Sequence, residues 1–228
     1  MRVDYDAIAP QYDARYGVNQ LPGIAGLLRE TAAEAGAGRG LALEVGCGTD
    51  HWLGVLAGHT RRICGLDLSA GMLRRAHAPA SGLAQGQAGQ LPLASASVDL
   101  LICVNALHHF PDKRLFMAES RRVLRPGGAW VNVGLDPHAG RDRWYLYDYF
   151  PGTLEADQQR FLSVGTLVAG VKAAGFERAT RSPPNASARF SAAGPCWTTR
   201  FCKSTAPRSW RCSATRLTRP GWRASPAT

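Results

Sequence analysis

The sequence has no run of 18 or more apolar residues, so no stretch reads as a membrane-spanning helix. It has no CxxC pair and no cysteine–histidine cluster at zinc-ligand spacing, so no metal centre is expected. The opening stretch MRVDYDAIAPQYDARYG is polar and acidic, unlike a secretory signal or a transit peptide. A cytoplasmic location is the expectation, and there the six cysteines stay reduced. Acidic residues are wholly missing after Glu177. The net charge of +10 therefore sits entirely in the last 51 residues, since the 17 acidic residues before Arg178 are matched by 17 basic ones. That excess forms no Lys/Arg cluster, and nucleic acid is not an expected partner.

The first 177 residues alternate strand and helix signals. Leu21–Ala37 reads as a helix, with Pro22 near its start and glycines at its end. LALEVGCG (41–48) reads as a buried strand running into a glycine turn, and Asp50–Gly58 as the helix that follows. RRICGLDL (61–68) is a second strand, followed by a helix over Ala70–Ala78 that Ser69 caps. Gln85–Ala94 is a loop, and residues 97–107 form a strongly apolar strand. A helix over Pro111–Leu124 ends at Arg125-Pro126-Gly127-Gly128, and AWVNVGL (129–135) is the next strand. Phe161–Ala174 is a helix closed by Gly175. This alternation predicts an α/β, doubly wound, mostly parallel sheet in one domain over 1–177.

Residues 178–228 break every pattern. They hold six prolines and three tryptophans, with no apolar period of either 2 or 3.6 residues. The expectation is an irregular basic tail, disordered or derived from a shifted reading frame, which leaves the C-terminal edge of the sheet incomplete. A back-translation of 189–225 in GC-rich codons, read one frame over, regains acids and an amphipathic period.

Two constellations carry chemistry. In Glu44-Val45-Gly46-Cys47-Gly48-Thr49-Asp50 a strand ends in a glycine turn that opens a helix, which lets a ligand approach the backbone. His51 stands where a dinucleotide fingerprint needs its third glycine, so a different nucleoside ligand is favoured, with a purely structural junction as the alternative. Asp67, at the end of the second strand, lies 19 residues beyond Gly48. Its two carboxylate oxygens match a ribose cis-diol; the alternative role is a helix cap.

Six segments carry a resemblance. Glu44–Gly48, Gly65–Met72, Leu91-Pro92-Leu93, Ser97-Val98-Asp99, Ala106–Phe110 and Arg122–Gly128 occur in the order seen in class I S-adenosylmethionine-dependent methyltransferases. More narrowly, they resemble the methyltransferase type 11 group, which includes relatives of the ubiquinone/menaquinone C-methyltransferases. The resemblance implies a Rossmann-like fold, S-adenosylmethionine as cofactor and a small-molecule methyl acceptor. It places Glu44, Gly46, Cys47 and Gly48 by the cofactor's amino-acid end and Asp67 at the ribose. Leu68 and Met72 lie against the sugar and adenine. Gln87, beside Ala88, stands where an acidic residue commonly meets the adenine amino group, and its amide oxygen can accept the same bond. Asn105 lies by the methionine moiety.

Asp50 stands where the family commonly has glycine. Turned inward it crowds the cofactor's carboxylate, unless it holds the ammonium instead. His109 and Tyr16 are the candidate proton acceptors, and no catalytic residue follows from the motifs themselves. His108 and His109, taken as neighbours on an extended segment, point to opposite sides and do not share an ion. Tyr5, Tyr12, Tyr16 and the aromatic patch at 144–150 are read either as a lid over the pocket or as surface anchors. Two rival functions are an impaired cofactor-binding remnant and a basic-tailed nucleic-acid methyltransferase.

Overall fold

The structure, a computed structural model, describes residues 3–18, 21–77, 82–139, 146–182 and 197–202. An N-terminal arm carries α1 (Tyr5–Ile8) and α2 (Ala14–Val18), and α3 (Pro22–Glu34) leads into the sheet. Then follow β1 (Leu41–Val45), α4 (His51–Leu56), β2 (Arg62–Asp67), α5 (Ala70–Leu73) and β3 (Gly82–Gln85). The second half comprises β4 (Val98–Val104), α6 (Lys113–Val123), β5 (Leu124–Gly134), α7 (Leu146–Tyr149), α8 (Thr153–Arg160) and α9 (Val164–Ala173). The last elements are β6 (Arg178–Ser182) and β7 (Trp197–Cys202). The sheet order is β3-β2-β1-β4-β5-β7-β6. The first five strands are parallel, while β7 pairs antiparallel with both β5 and β6.

Why these segments become central strands follows from their two buried faces. Leu41, Leu43 and Val45 of β1, with Leu101 and Cys103 of β4, pack on Phe116, Trp130 and Leu167. Ala42, Leu100, Ile102 and Val104 point the other way, onto Ile24, Leu28, Trp52 and Leu53. A strand covered on both sides reads as a nearly continuous apolar run, which β1 and β4 show apart from one acid each, Glu44 and Asp99.

Two of the family-like motifs prove to be braces of this scaffold. Asp99 Oδ2 accepts the Leu41 N–H at 2.8 Å and pairs with Arg125 Nη1 at 2.9 Å, tying the starts of β1 and β5 together. A Cβ on Gly40 would stand 2.0 Å from that oxygen, so a side chain there would push the Asp99 carboxylate out of place. Arg122 donates to Leu93 O at 2.7 Å and Leu91 O at 3.0 Å while Glu119 accepts the Leu91 N–H at 2.7 Å. The Leu-Pro-Leu loop is thereby pinned to α6.

The doubly wound fold class agrees with the sequence reading, and its edge corrects it. After Arg178, where no strand was expected, β6 and β7 form an antiparallel pair that extends the sheet beyond β5. Arg178-Ala-Thr-Arg-Ser has no apolar alternation; these strands are identified by backbone pairing, which composition does not reveal. The rest of the basic tail, 183–196 and 203–228, lies outside the described residues. The strand β3 was also missed, being four residues long and mostly exposed at the opposite edge.

This edge yields a testable reversal. A chain stopped after Glu177 loses β7, whose register on β5 runs from Ala129↔Cys202 to Gly134↔Trp197. Its melting temperature should fall by roughly 5 °C or more, the size expected when a few kcal/mol are lost from a chain of this length. An unchanged transition in differential scanning calorimetry would show that the pair adds nothing to stability.

Candidate active site

Sheet order reverses direction between β1 and β4, and the crevice beyond their carboxyl ends is where open α/β sheets hold ligands. β1 leaves the sheet at Val45, and the chain reaches α4 through left-handed residues at Gly46 (φ 77°), Gly48 (φ 54°) and Asp50 (φ 76°). A Cβ on Gly46 would lie 2.4 Å from the Ala106 Cβ, so the turn is packed against the end of β4. The Gly46 and Cys47 N–H groups are both satisfied by Leu66 O, at 2.7 and 3.1 Å. The turn therefore hangs from the end of β2.

Asp67 completes that attachment. Its Oδ2 accepts the Gly48 N–H at 2.8 Å and its Oδ1 accepts the Ser69 N–H at 2.9 Å. Each carboxylate oxygen keeps further acceptor capacity, so the group is aimed and still able to bind a diol. Ser69 caps α5 as expected, its Oγ accepting the Met72 N–H at 3.0 Å. The cap role thus belongs to Ser69.

A cavity of about 790 Å³ opens here. Its walls hold all ten of the residues assigned to cofactor contact, Glu44, Gly46, Cys47, Gly48, Asp67, Leu68, Met72, Gln87, Ala88 and Asn105. Both candidate proton acceptors, Tyr16 and His109, line it too. Glu44 is buried and its Oε2 has no hydrogen-bond partner. Burial, with the charges of Asp67 and Asp50 next, raises the Glu44 carboxyl well above the usual range. A cation brought beside this group would favour its ionised form. Asp50 does not line the cavity. Its left-handed backbone explains why glycine suits that position, and aspartate is among the few other residues that adopt it readily.

The arm closes over this crevice. Asp6 Oδ1 accepts the Ser69 hydroxyl and the Gly71 N–H, each at 2.6 Å, and Asp13 accepts the Thr49 hydroxyl. Those bonds hold the Asp6 carboxyl below its ordinary range, the Ser69 hydroxyl contributing most. Tyr16 stacks on His51 with ring centroids 3.8 Å apart, and Tyr5, Tyr12 and Tyr16 all line the cavity. Of the two readings of the aromatic residues, the arm tyrosines take the lid position. Tyr149 and Phe150 do not, standing exposed, while Trp144 and Tyr145 lie outside the described residues.

The histidine pair departs from expectation. His108 and His109 lie in a single 3₁₀ turn over Leu107–His109, so both rings face the same cavity with centroids 3.9 Å apart. No group of three or more metal-ligating side chains occurs among the described residues. His109 Nε2 hydrogen-bonds Tyr5 Oη at 2.5 Å, and His108 stacks on Phe161 at 4.0 Å. Burial, then Arg160 and Lys113, lowers His109 to about 4. Burial, then His109 and Arg160, lowers His108 to about 2. Burial raises Tyr5 to about 12 and carries Tyr16 further in the same direction. At neutral pH none of these groups is charged, and none is poised to take a proton.

Sequence reasoning missed Arg160, which also lines the cavity, and the tethers Asp6 and Asp13. Asp6 lies 63 residues from Ser69. A lone acid in a polar arm gives no signal of a partner that distant.

Comparison with known proteins agrees with this geometry. Residues 43–131 match a family described as a methyltransferase domain. A malonyl-[acyl-carrier protein] O-methyltransferase of Methylococcus capsulatus is 38% identical over 140 residues, which is 55% of this chain and 48% of that protein. A phthiotriol/phenolphthiotriol dimycocerosates methyltransferase of Mycobacterium tuberculosis is 33% identical over 124 residues, 52% of this chain and 46% of that one. The chain thus spans about half the length of these curated relatives. The crystal structure of a SAM-dependent methyltransferase from Aquifex aeolicus superposes with a TM-score of 0.62 at 16% identity, covering 89% of this chain and all of that one. That likeness speaks for the fold. The match over residues 43–131 and these likenesses together support a class I S-adenosylmethionine-dependent methyltransferase of the type 11 group.

Proposed function

We propose that this chain transfers a methyl group from S-adenosylmethionine to a small or carrier-bound acceptor held in the arm-covered cavity. One observation supports the reading: Asp67, held at the glycine turn through one oxygen and at Ser69 through the other, lines the same cavity as the buried, unpartnered Glu44 Oε2. Those residues fit the family's cofactor, which presents a diol to the first and a cationic amino-acid end to the second. In this reading Gly46 and Gly48 cradle the amino-acid end and Cys47 lies beside them. Leu68 and Met72 flank the sugar and base, Gln87 and Ala88 border the adenine, and Asn105 adjoins the methionine moiety.

When bound, the cofactor supplies an already activated methyl group. The protein's contribution is to align the acceptor and keep water out, the second task falling to Tyr5, Tyr12 and Tyr16. The two relatives' names, one a malonyl-[acyl-carrier protein] O-methyltransferase and the other a phthiotriol/phenolphthiotriol dimycocerosates methyltransferase, support a small or carrier-bound acceptor of this kind. They favour an enzyme over an impaired remnant. No helix among the described residues is long and apolar enough to cross a membrane, and we place the activity in the cytoplasm.

The test is a thermal shift of the full chain with S-adenosylhomocysteine, with NAD as control. A ligand that binds only the folded state at a hundredfold excess over its dissociation constant stabilises it by about 2.7 kcal/mol. A shift with the first alone is expected. A shift with NAD alone, or with neither, would count against this reading.

A further inference from the structure

The cavity is polarised in a way that the cofactor does not use up. Its lining carboxylates are Glu44, Asp67 and Asp112. The first two stand at the strand ends already described, and Asp112 Oδ1 is occupied in capping α6, taking the Arg114 and Leu115 N–H groups at 2.8 and 3.0 Å. Beside His108 and His109 the sign changes. There the lining residue is Arg160, at the end of α8.

Arg160 is held in place. Its Nε and Nη2 contact Asp157 Oδ1 at 2.8 and 2.6 Å. Asp157 is itself buried, and its Oδ2 accepts the Tyr147 hydroxyl at 2.8 Å. The guanidinium carbon lies 5.3 Å from the Phe161 ring, which in turn stacks on His108. A guanidinium has five N–H donors in a rigid fork, so one carboxylate oxygen leaves donors for a second acid. The positive charge also reaches the cavity. Arg160 and Lys113 are the charges that act on His109.

From the pre-aimed Arg160 beside His108, His109 and Tyr5 we infer that the methyl acceptor is an oxygen acid, bound as its anion by Arg160. This rests on the methyltransferase reading above and names its substrate class. The chemistry agrees with the absence of a suitable base. As the acceptor's O⁻ lone pair forms the new O–CH₃ bond, the bond from methyl carbon to sulfonium sulfur breaks and its electron pair stays on sulfur. One negative and one positive charge disappear and no proton is released. A neutral alcohol or amine sheds a proton, and here it would meet two uncharged imidazoles lowered far below neutrality. His109 and Tyr5, bonded to each other, serve to position the acceptor.

The experiment uses the full chain with S-adenosylmethionine and matched acceptor sets. Each set comprises an aryl or alkyl carboxylic acid, its primary amide and the corresponding alcohol and amine, and S-adenosylhomocysteine release is the readout. Calorimetric titration with S-adenosylhomocysteine runs beside it; failure there sinks the methyltransferase reading itself. With that binding intact, release with the acids and not with their neutral or amine partners is expected. Arg160→Gln should then raise KM for the acid roughly tenfold or more with a smaller change in kcat, and Arg160→Lys should recover part of it. Release only with alcohols or amines, or with no member of any set, overturns the inference. So does an Arg160→Gln enzyme, folded by circular dichroism, whose KM for the acid is unchanged.

Discussion

Asp67→Ala should weaken S-adenosylhomocysteine binding by about a hundredfold or more, because it deletes the two charged acceptors proposed for the ribose hydroxyl groups. The loss is compounded within the protein. Asp67 also accepts the Gly48 and Ser69 N–H groups, so its removal frees the glycine turn from the start of α5. Asp67→Asn separates the two effects. It keeps one carbonyl oxygen for a backbone N–H while losing the charge and the second acceptor. Isothermal titration of both variants is the measurement. Affinity within threefold of the parent for Asp67→Ala would remove this residue from the ribose site and leave it a purely structural tie.

The Gly46→Ala variant should lose both stability and ligand binding. The added methyl meets the Ala106 Cβ at 2.4 Å, and the backbone sits at φ 77°, where L-residues are strained. Strain of this kind costs about 1–3 kcal/mol and overpacking about as much again. Urea titration should therefore show a loss of about 2–4 kcal/mol, within the range of severe single substitutions. The double variant Gly46→Ala with Ala106→Gly removes the collision and leaves the strained backbone. It should recover part of the loss, and the recovered share measures how tightly the turn is packed on the end of β4. Full stability in the single variant would mean that the turn relaxes freely, contrary to the close packing seen here.

The sequence was most readable where physics acts locally. β1 and β4 announce themselves because both their faces are buried, and the turn after β1 because left-handed backbone calls for glycine. Asp67 is legible for a related reason. Strand, turn and helix have set lengths, so an acid at the end of the next strand falls beside the turn. All twelve residues assigned to cofactor or proton transfer line one cavity, since each belongs to a segment whose geometry that scaffold dictates. What stayed hidden depends on partners far away in the chain. Asp6 and Asp13 reach α5 and the glycine turn, and Arg160 reaches the histidines from a polar helix with no motif of its own. The histidine pair was misread because a 3₁₀ turn turns adjacent side chains about 120° apart, where a strand would set them opposite. The last two strands were invisible because edge pairing is made by backbone groups that every sequence possesses.

That edge also sets an order of events during synthesis. β6 is made before β7 yet lies outside it, so it has no neighbour in the sheet until β7 exists. A growing chain that has emerged only as far as Ser182 can assemble the five parallel strands, with the outer rim of β5 bare. An open rim of this kind invites pairing with another chain. The interval closes only when residues 197–202 arrive and slide between two strands already made. Pauses in translation within residues 183–196, which hold three prolines, would lengthen the exposure, making that stretch a control point for whether the nascent protein folds or aggregates.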